Sequence, residues 1–307
     1  MLVRYLLRRI VALVVVTMAI IYFVSLATTL MGRPELPVLG FLPGWQTLKM
    51  AGERSWAFLQ GAAQGDLGVI PTQYGEEPIT NVLWFSFGNS LGLLLMALGV
   101  AALCGLLLGI LAALTRRKTR LYTFLFVSFV GVSAPSFFLA VVLQNLGIRY
   151  TRTFGSRLVS MAGYGWDWEH LALPLIVLAA RPVAYIARAT YVSLLDIMRQ
   201  DYIRTAFAKG FSLPRTVMRH ALRNLAVPFL TSTGVSLRFS LSALALVEVI
   251  FAWPGMGRRM LEGINEGVPM LVIAIAVMIG LLLQLVNLLL DLIYLLVDPR
   301  LREEGQA

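Results

Sequence analysis

The sequence predicts an all-α fold, a polytopic membrane protein with six transmembrane helices. Three observations predict it. Apolar residues make up 58% of the 307 and charged residues only 14%, with a mean hydropathy of +0.79, far from the composition of a soluble domain. The apolar residues gather into six long runs, each able to cross a bilayer. The cations gather at alternate ends of those runs, which sets the topology.

The elements follow in order. Arg4, Arg8 and Arg9 precede an uncharged run from Ile10 to Gly32. Its length exceeds the ~7–15-residue apolar core of a signal peptide, so segment 1–32 reads as a retained first helix, with Ser25-Leu-Ala27 a faint cleavage-like alternative. Segment 33–78 shifts to mixed charge, glycine and proline, with Trp45 and Trp56 suited to an interface, and reads as external. A core of five further helices spans 79–298. Within it, Ile79 to Thr115 carries no charge and reads as one tilted helix closed by the basic cluster Arg116-Arg-Lys-Thr-Arg120. Leu121 to Ile148 is the third span, kinked at Pro135, beside Ser136.

Leu171 to Leu195 is the fourth span, interrupted by Arg181, Pro182 and Arg188. A basic loop over 196–228 follows, then the fifth span, Leu225 to Val249, with Arg238 and Glu248 inside it. Val268 to Leu290 is the sixth, and 299–307 reads as a cytoplasmic tail. Intramembrane charges are costly and face a partner or a water-filled path. Two readings therefore stand for Arg181, Arg238 and Glu248: lining a route through the membrane, or a structural ion pair between Arg181 and Glu248. Pro135 and Ser136 share the first reading.

Of the 26 cations, sixteen fall on the proposed cytoplasmic side, eight outside, and two within the membrane. That bias, and not nucleic-acid binding, accounts for the net charge of +10 and places both termini in the cytoplasm. The single cysteine, Cys104, excludes an internal disulfide. No Gly-x-x-x-x-Gly-Lys-Ser/Thr loop is present, so ATP binding of that kind is excluded; nor is there a Gly-x-Ser-x-Gly, Cys-x-x-Cys or His-Glu-x-x-His pattern. His170 and His220 fall on opposite sides, which argues against a paired-histidine metal site. A membrane enzyme would need clustered catalytic side chains and a secondary transporter internal repeats; neither is visible.

The basic loop has its own pattern. Gly210 divides it into two amphipathic helical stretches. Ile203, Ala206 and Phe207 recur at helical spacing in the first. Ser212-Leu-Pro214 reads as a second helix start, with the serine as cap. In the second stretch Val217, Met218, Ala221, Leu222 and Leu225 form an apolar stripe beside Arg215, Arg219 and Arg223. Such a pair can lay its apolar side on membrane helices and present its outer side to a partner.

Asp201-Tyr-Ile-Arg-Thr-Ala-Phe-Ala-Lys-Gly210, then His220-Ala-Leu-Arg-Asn224, then Pro228, resembles the cytoplasmic "EAA" loop of ABC-importer permeases. The spacing resembles that of the peptide/nickel group, the dipeptide and oligopeptide permease B subunits, with Arg204-Thr-Ala206 where the motif name has Glu-Ala-Ala. Gly65-Asp-Leu-Gly68, Val130-Gly-Val-Ser-Ala-Pro-Ser-Phe-Phe-Leu139, Phe251-Ala-Trp-Pro-Gly-Met-Gly257 and the ending Asp291-Leu-Ile-Tyr-Leu-Leu-Val-Asp-Pro-Arg300 are similar to elements of the same group. Its Pro-Gly-Asp-Pro after the first helix is replaced by Met31-Gly-Arg-Pro34.

The resemblance implies type I ABC-importer architecture and a non-enzymatic subunit in a bacterial or archaeal plasma membrane. It implies a solute path for di- or oligopeptides, with nickel or another small solute as the alternative. The implied partners are two ATPase subunits, which bind ATP and magnesium, a related permease subunit in a heterodimer, and an external solute-binding protein. Asp201, Tyr202, Arg204, Thr205, Ala206, Ala208, Lys209, Gly210, Arg219, His220, Arg223, Asn224 and Pro228 then form the ATPase-coupling loop. Trp253, Pro254, Gly255 and Gly257 form an external turn.

The topology is testable with single cysteines in a Cys104→Ser background. Glu53→Cys and Arg157→Cys are expected to react with impermeant thiol reagents in intact cells, and Lys118→Cys to stay unlabelled. Labelling at position 118 overturns the six-span topology.

Overall fold

The computed structural model describes residues 2–31, 44–72, 75–115 and 117–297. Among them are eleven α-helices, one π-helical turn and one β-hairpin. α1 (Leu2–Met31) and α2 (Trp45–Gln64) are followed by β1 (Val69–Thr72) and β2 (Gly75–Pro78). α3 (Ile79–Leu114), α4 (Lys118–Ser133), α5 (Ser136–Phe154) and α6 (Trp168–Met198) come next. α7 (Asp201–Ala208), α8 (Leu213–Thr216), the π turn Val217–Ala221, α9 (Leu222–Ile250), α10 (Met256–Asn265) and α11 (Pro269–Val297) complete the order. The tail 299–307 and the last three residues of the Asp291–Arg300 ending lie outside the described residues, as does Met31-Gly-Arg-Pro34 beyond its first residue; Asp291 to Val297 close α11.

Five helical stretches are long and apolar enough to span a membrane: Arg9–Met31, Ile79–Leu114, Trp168–Met198, Leu213–Ile250 and Pro269–Leu290. The stretch expected as the third span is not a kinked helix but a bent pair, with the geometry of a broken span or a re-entrant loop. It is two helices, Leu121–Ser133 and Ser136–Phe154, with axes turned by 108°. Proline alone bends a helix far less. Here Ala134 and Pro135 both leave helical geometry, with ψ of 126° and 135°, because the residue before a proline is pushed out of the α region.

The chain forms two compact units. In one, residues up to 91 and 254–287, α1 packs on α2, and Arg54 Nη1 donates to Thr29 Oγ1 at 3.0 Å. The strands pair antiparallel, Val69 opposite Pro78 and Thr72 opposite Gly75, so segment 33–78 holds a helix and a hairpin that its mixed composition did not reveal.

In the other unit, residues 92–253 and those after 287, α6 is the central helix. It packs on α9, α4 and α5, and fourteen of its residues are buried, Pro174 and Pro182 among them. Helix-interior prolines are tolerated at membrane depth where neighbouring helices satisfy the freed backbone groups. The core joins Leu93, Leu94 and Ala97 of α3 with Leu171, Leu178, Val247, Phe251 and Trp253.

Close approach of α3 to α6 depends on two glycines. A Cβ at Gly105 would lie 2.8 Å from Ile186 Cβ, and one at Gly109 would lie 2.5 Å from the Ala187 carbonyl oxygen. Small residues of this kind let membrane helices pack backbone to backbone. A Cβ at Gly99, on the same helix, would meet nothing within 4 Å. Gly109→Ala is therefore expected to destabilise the folded subunit by about 1–3 kcal/mol, an overpacking cost, while Gly99→Ala is neutral or better. Thermal unfolding in detergent measures both; equal midpoints for the two variants would sink the packing account.

Candidate functional site

The basic loop is built as two layers. α7 takes its N-cap from Gln200, and its inner face buries Ile203 and Ala206 against Leu194, Ala221 and Leu225. Its outer face leaves Asp201, Tyr202, Arg204, Thr205, Phe207, Ala208, Lys209 and Gly210 exposed. Phe207 is 41% exposed, off the apolar face that its spacing suggested, since an eight-residue helix buries one narrow stripe. Arg204 pairs with Asp201 at 3.4 Å, an exposed pair with little effect on stability.

Gly210 ends the first layer. Its φ is +80°, a conformation open to glycine and strained for other L-residues, and a Cβ there would meet nothing of this chain within 4 Å. The turn thus projects backbone into open space.

The second stretch is not a separate helix. α8, the π turn and α9 run on without a break into the fifth span, so span and loop are one rod. Ser212 takes the extended cap geometry, but its hydroxyl makes no capping bond; Pro214 in the first turn marks the start instead. The π turn inserts an extra residue and rotates the stripe. Val217, Ala221 and Leu225 stay buried, whereas Met218 is turned out and 70% exposed. Arg215, Arg219 and Arg223 are exposed as their spacing predicts.

Three contacts tie the layers together that pattern reading missed. Asn224 Nδ2 donates to the Tyr202 hydroxyl at 2.7 Å, across 22 residues. His220 stacks on Phe211 with centroids 5.8 Å apart, and Arg215 lies 5.0 Å from the centre of the Phe211 ring. His220 Nε2 is enclosed without a hydrogen-bond partner. Pro228 sits inside α9, half-buried.

The intramembrane charges separate. Arg181 is exposed, with its guanidinium carbon 4.4 Å from the centre of the Phe239 ring, and it does not pair with Glu248. The ion-pair reading therefore gives way to a cation–π contact, because α6 and α9 meet with Phe239 opposite Arg181. Arg238 is exposed on α9, whereas Glu248 is 0% exposed. Arg181 and Ser136 line one cavity of about 260 Å³ beside the α4–α5 break, with Pro135 at the break itself.

At the turn after α9, Trp253 is wholly buried, with Tyr164 and Trp166 each 5.1 Å from it in edge-on contact. Ala252 adopts a positive φ of 54°, uncommon for a residue with a Cβ, and aims Trp253 inward. Gly163 N donates to the Phe251 carbonyl at 2.9 Å, and Gln144 Nε2 donates to the carbonyls of Met161 and Ile250. A glutamine inside an apolar run was the signal for that tie. Separately, Asn89 Nδ2 donates to the Pro254 carbonyl and Met256 N to Ser90 Oγ, while Gly255 caps α10 and Gly257 lies in its first turn.

The chain is a multi-pass helical protein with an exposed helical loop continuous with one of its candidate spans. The chain belongs to the family of binding-protein-dependent transport system inner membrane components, whose model matches residues 105–303. It is 34% identical to the dipeptide transport system permease protein DppB of Bacillus subtilis, over 74% of this chain and 72% of that one. It is 33% identical to DppB of Alkalihalophilus pseudofirmus, over 85% and 88%. It is 32% identical to the glutathione transport system permease protein GsiC of Escherichia coli, over 68% of this chain and 66% of the relative. These relatives are transport permeases and not enzymes, as the missing catalytic clusters suggested. The chain is a permease component of an ABC importer, and that family membership implies binding-protein and ATPase partners.

The N-terminal cap of α6 carries a pH dependence. Asp167 Oδ1 accepts from the His170 backbone N–H at 3.1 Å, and its carboxylate meets His170 Nδ1 at 2.8 Å. Those bonds, the side-chain one foremost, hold its pKa below the ordinary 3.8. A lowered carboxylate pKa adds stability that is present above the ordinary value and lost as pH falls through the lowered one. Hydrogen exchange at the His170 amide is therefore expected to accelerate below about pH 4 beyond its intrinsic rate. Asp167→Asn should exchange fast throughout and remove that transition; an unchanged profile in the variant rules the cap out as its source.

Proposed function

We propose that this chain passes peptides across the membrane as one of two related permease subunits. It works with two ATPase subunits that bind ATP and magnesium, and with an external solute-binding protein. Both termini face the cytoplasm of a bacterium or archaeon. The peptide reading is supported by the relatives, named for transport of dipeptides and of glutathione, itself a peptide. Arg181, Arg238, Pro135 and Ser136 line the route in this reading, being polar or helix-breaking features on faces the chain leaves uncovered. Glu248 supports the external end of α9 from within the core. Trp253, Pro254, Gly255 and Gly257 shape the external turn.

The observation that carries the coupling role is the outer face from Asp201 to Gly210, anchored by Ile203 and Ala206 and joined to α9 through α8 and the π turn. An ATPase docked there pushes on a rod that enters the membrane directly. Asp201, Tyr202, Arg204, Thr205, Ala208 and Lys209 present the surface. Tyr202–Asn224 and the stacked His220 keep the two layers moving together, with Arg219 and Arg223 flanking them.

The test is Gly210→Asp in the reconstituted complex. Aspartate is among the side chains best tolerated at positive φ, and its Cβ meets nothing of this chain, so the subunit is expected to insert and fold. Binding-protein docking should persist, while peptide-stimulated ATP hydrolysis and uptake fall together by about tenfold or more, the effect of blocking a close interface contact. Wild-type stimulation and uptake in this variant would show that the loop is only a topological anchor.

A further inference from the structure

The cavity beside the broken span is lined almost entirely by apolar surface, with one cation among its lining residues. Val127 and Val130 of α4, Leu139 of α5 and Val177 of α6 give it apolar walls, and Ser136 and Arg181 are its polar side chains. Arg181 lies near the middle of a 31-residue span, and the α4–α5 break exposes backbone at the same place. Lipid-facing surface at that depth does not carry a cation and an interrupted helix together. The Phe239 face holds the guanidinium in position without neutralising it, and among the described residues no carboxylate pairs with Arg181.

We propose that this cavity is a subsite for the C-terminal end of a transported peptide, its free carboxylate on the Arg181 guanidinium and its last apolar side chain against Val127, Val130 and Leu139. A planar guanidinium binds a carboxylate through two parallel hydrogen bonds, which an amide at the same position cannot reproduce. At about 260 Å³ the cavity is slightly smaller than the range that encloses drug-sized ligands, so it takes one terminal residue and not a whole oligopeptide. The inference rests on the peptide reading above and adds that the free carboxylate and an apolar last residue are what the membrane subunit recognises.

The experiment uses the whole complex in nanodiscs, with Val130→Cys in the Cys104→Ser background and a water-soluble maleimide as reagent. The dipeptide Ala-Phe and the tetrapeptide Ala-Ala-Ala-Phe are expected to slow labelling of the introduced thiol by about tenfold at saturation, and their C-terminal amides not to. Adding Arg181→Gln should remove the protection, and Arg181→Lys should restore part of it. Equal protection by acid and amide in the Arg181 protein overturns the subsite, whether or not the Arg181→Gln protein folds. So does protection by palmitate alone, which makes the cavity a lipid groove, and so does a thiol unreactive under every condition, which means another helix covers it. ATP-driven uptake of both peptides is measured in parallel on proteoliposomes. Uptake without acid-specific protection defeats the subsite alone, whereas no uptake of any peptide, with acid-specific protection intact, defeats only the transport reading.

Discussion

Hydrocarbon cannot hydrogen-bond, and the rest of this structure depends on that constraint. Every backbone amide at membrane depth must be paired within the protein or face water, so the chain crosses as helices. The same constraint gives meaning to each exception. A break between α4 and α5, an arginine over Phe239 and another exposed on α9 all sit on surfaces the chain itself leaves open. A buried glutamate near the outer end of α9 sits where the core encloses it. Polar features outside the core mark where protein or water must lie in the assembled transporter.

Packing follows from backbone proximity more than from oily area, because lipid tails are as apolar as leucine. Gly105 and Gly109 let α3 reach the backbone of α6, and α6 organises α4, α5 and α9 around it. Ser240 Oγ donating to the Leu178 carbonyl at 3.4 Å is a small polar tie of the same kind between α9 and α6.

The loop and the span are mechanically one. A separate amphipathic helix on a hinge would dissipate a push at the hinge. A rod continuous through a π turn transmits it, and the turn's extra residue leaves room for a change of pitch. Tyr202–Asn224 and Phe211–His220 brace α7 against that rod. Under the proposed coupling role, the residues that touch the ATPase and those that stiffen the lever are different sets, and pattern reading reaches the first more readily than the second.

The sequence by itself determined the helical class, five of the spans, the position of the basic loop and its inner and outer faces. Each is a local consequence of hydropathy, charge placement or helical period, readable from neighbours three and four apart. It also marked Gly210, whose positive φ needs only its own backbone. Tertiary structure alone decided what depends on which helices meet. The turn at Ala134-Pro135 became a break of 108° instead of a kink, and Arg181 met Phe239 instead of Glu248. The π turn rotated Met218 out of its stripe, and a hairpin and α2 emerged from a segment of mixed composition. The Arg181–Phe239 contact turns on which faces of α6 and α9 meet, and the hairpin on a strand register that a mixed composition does not mark. No period within one helix encodes the facing surface of another.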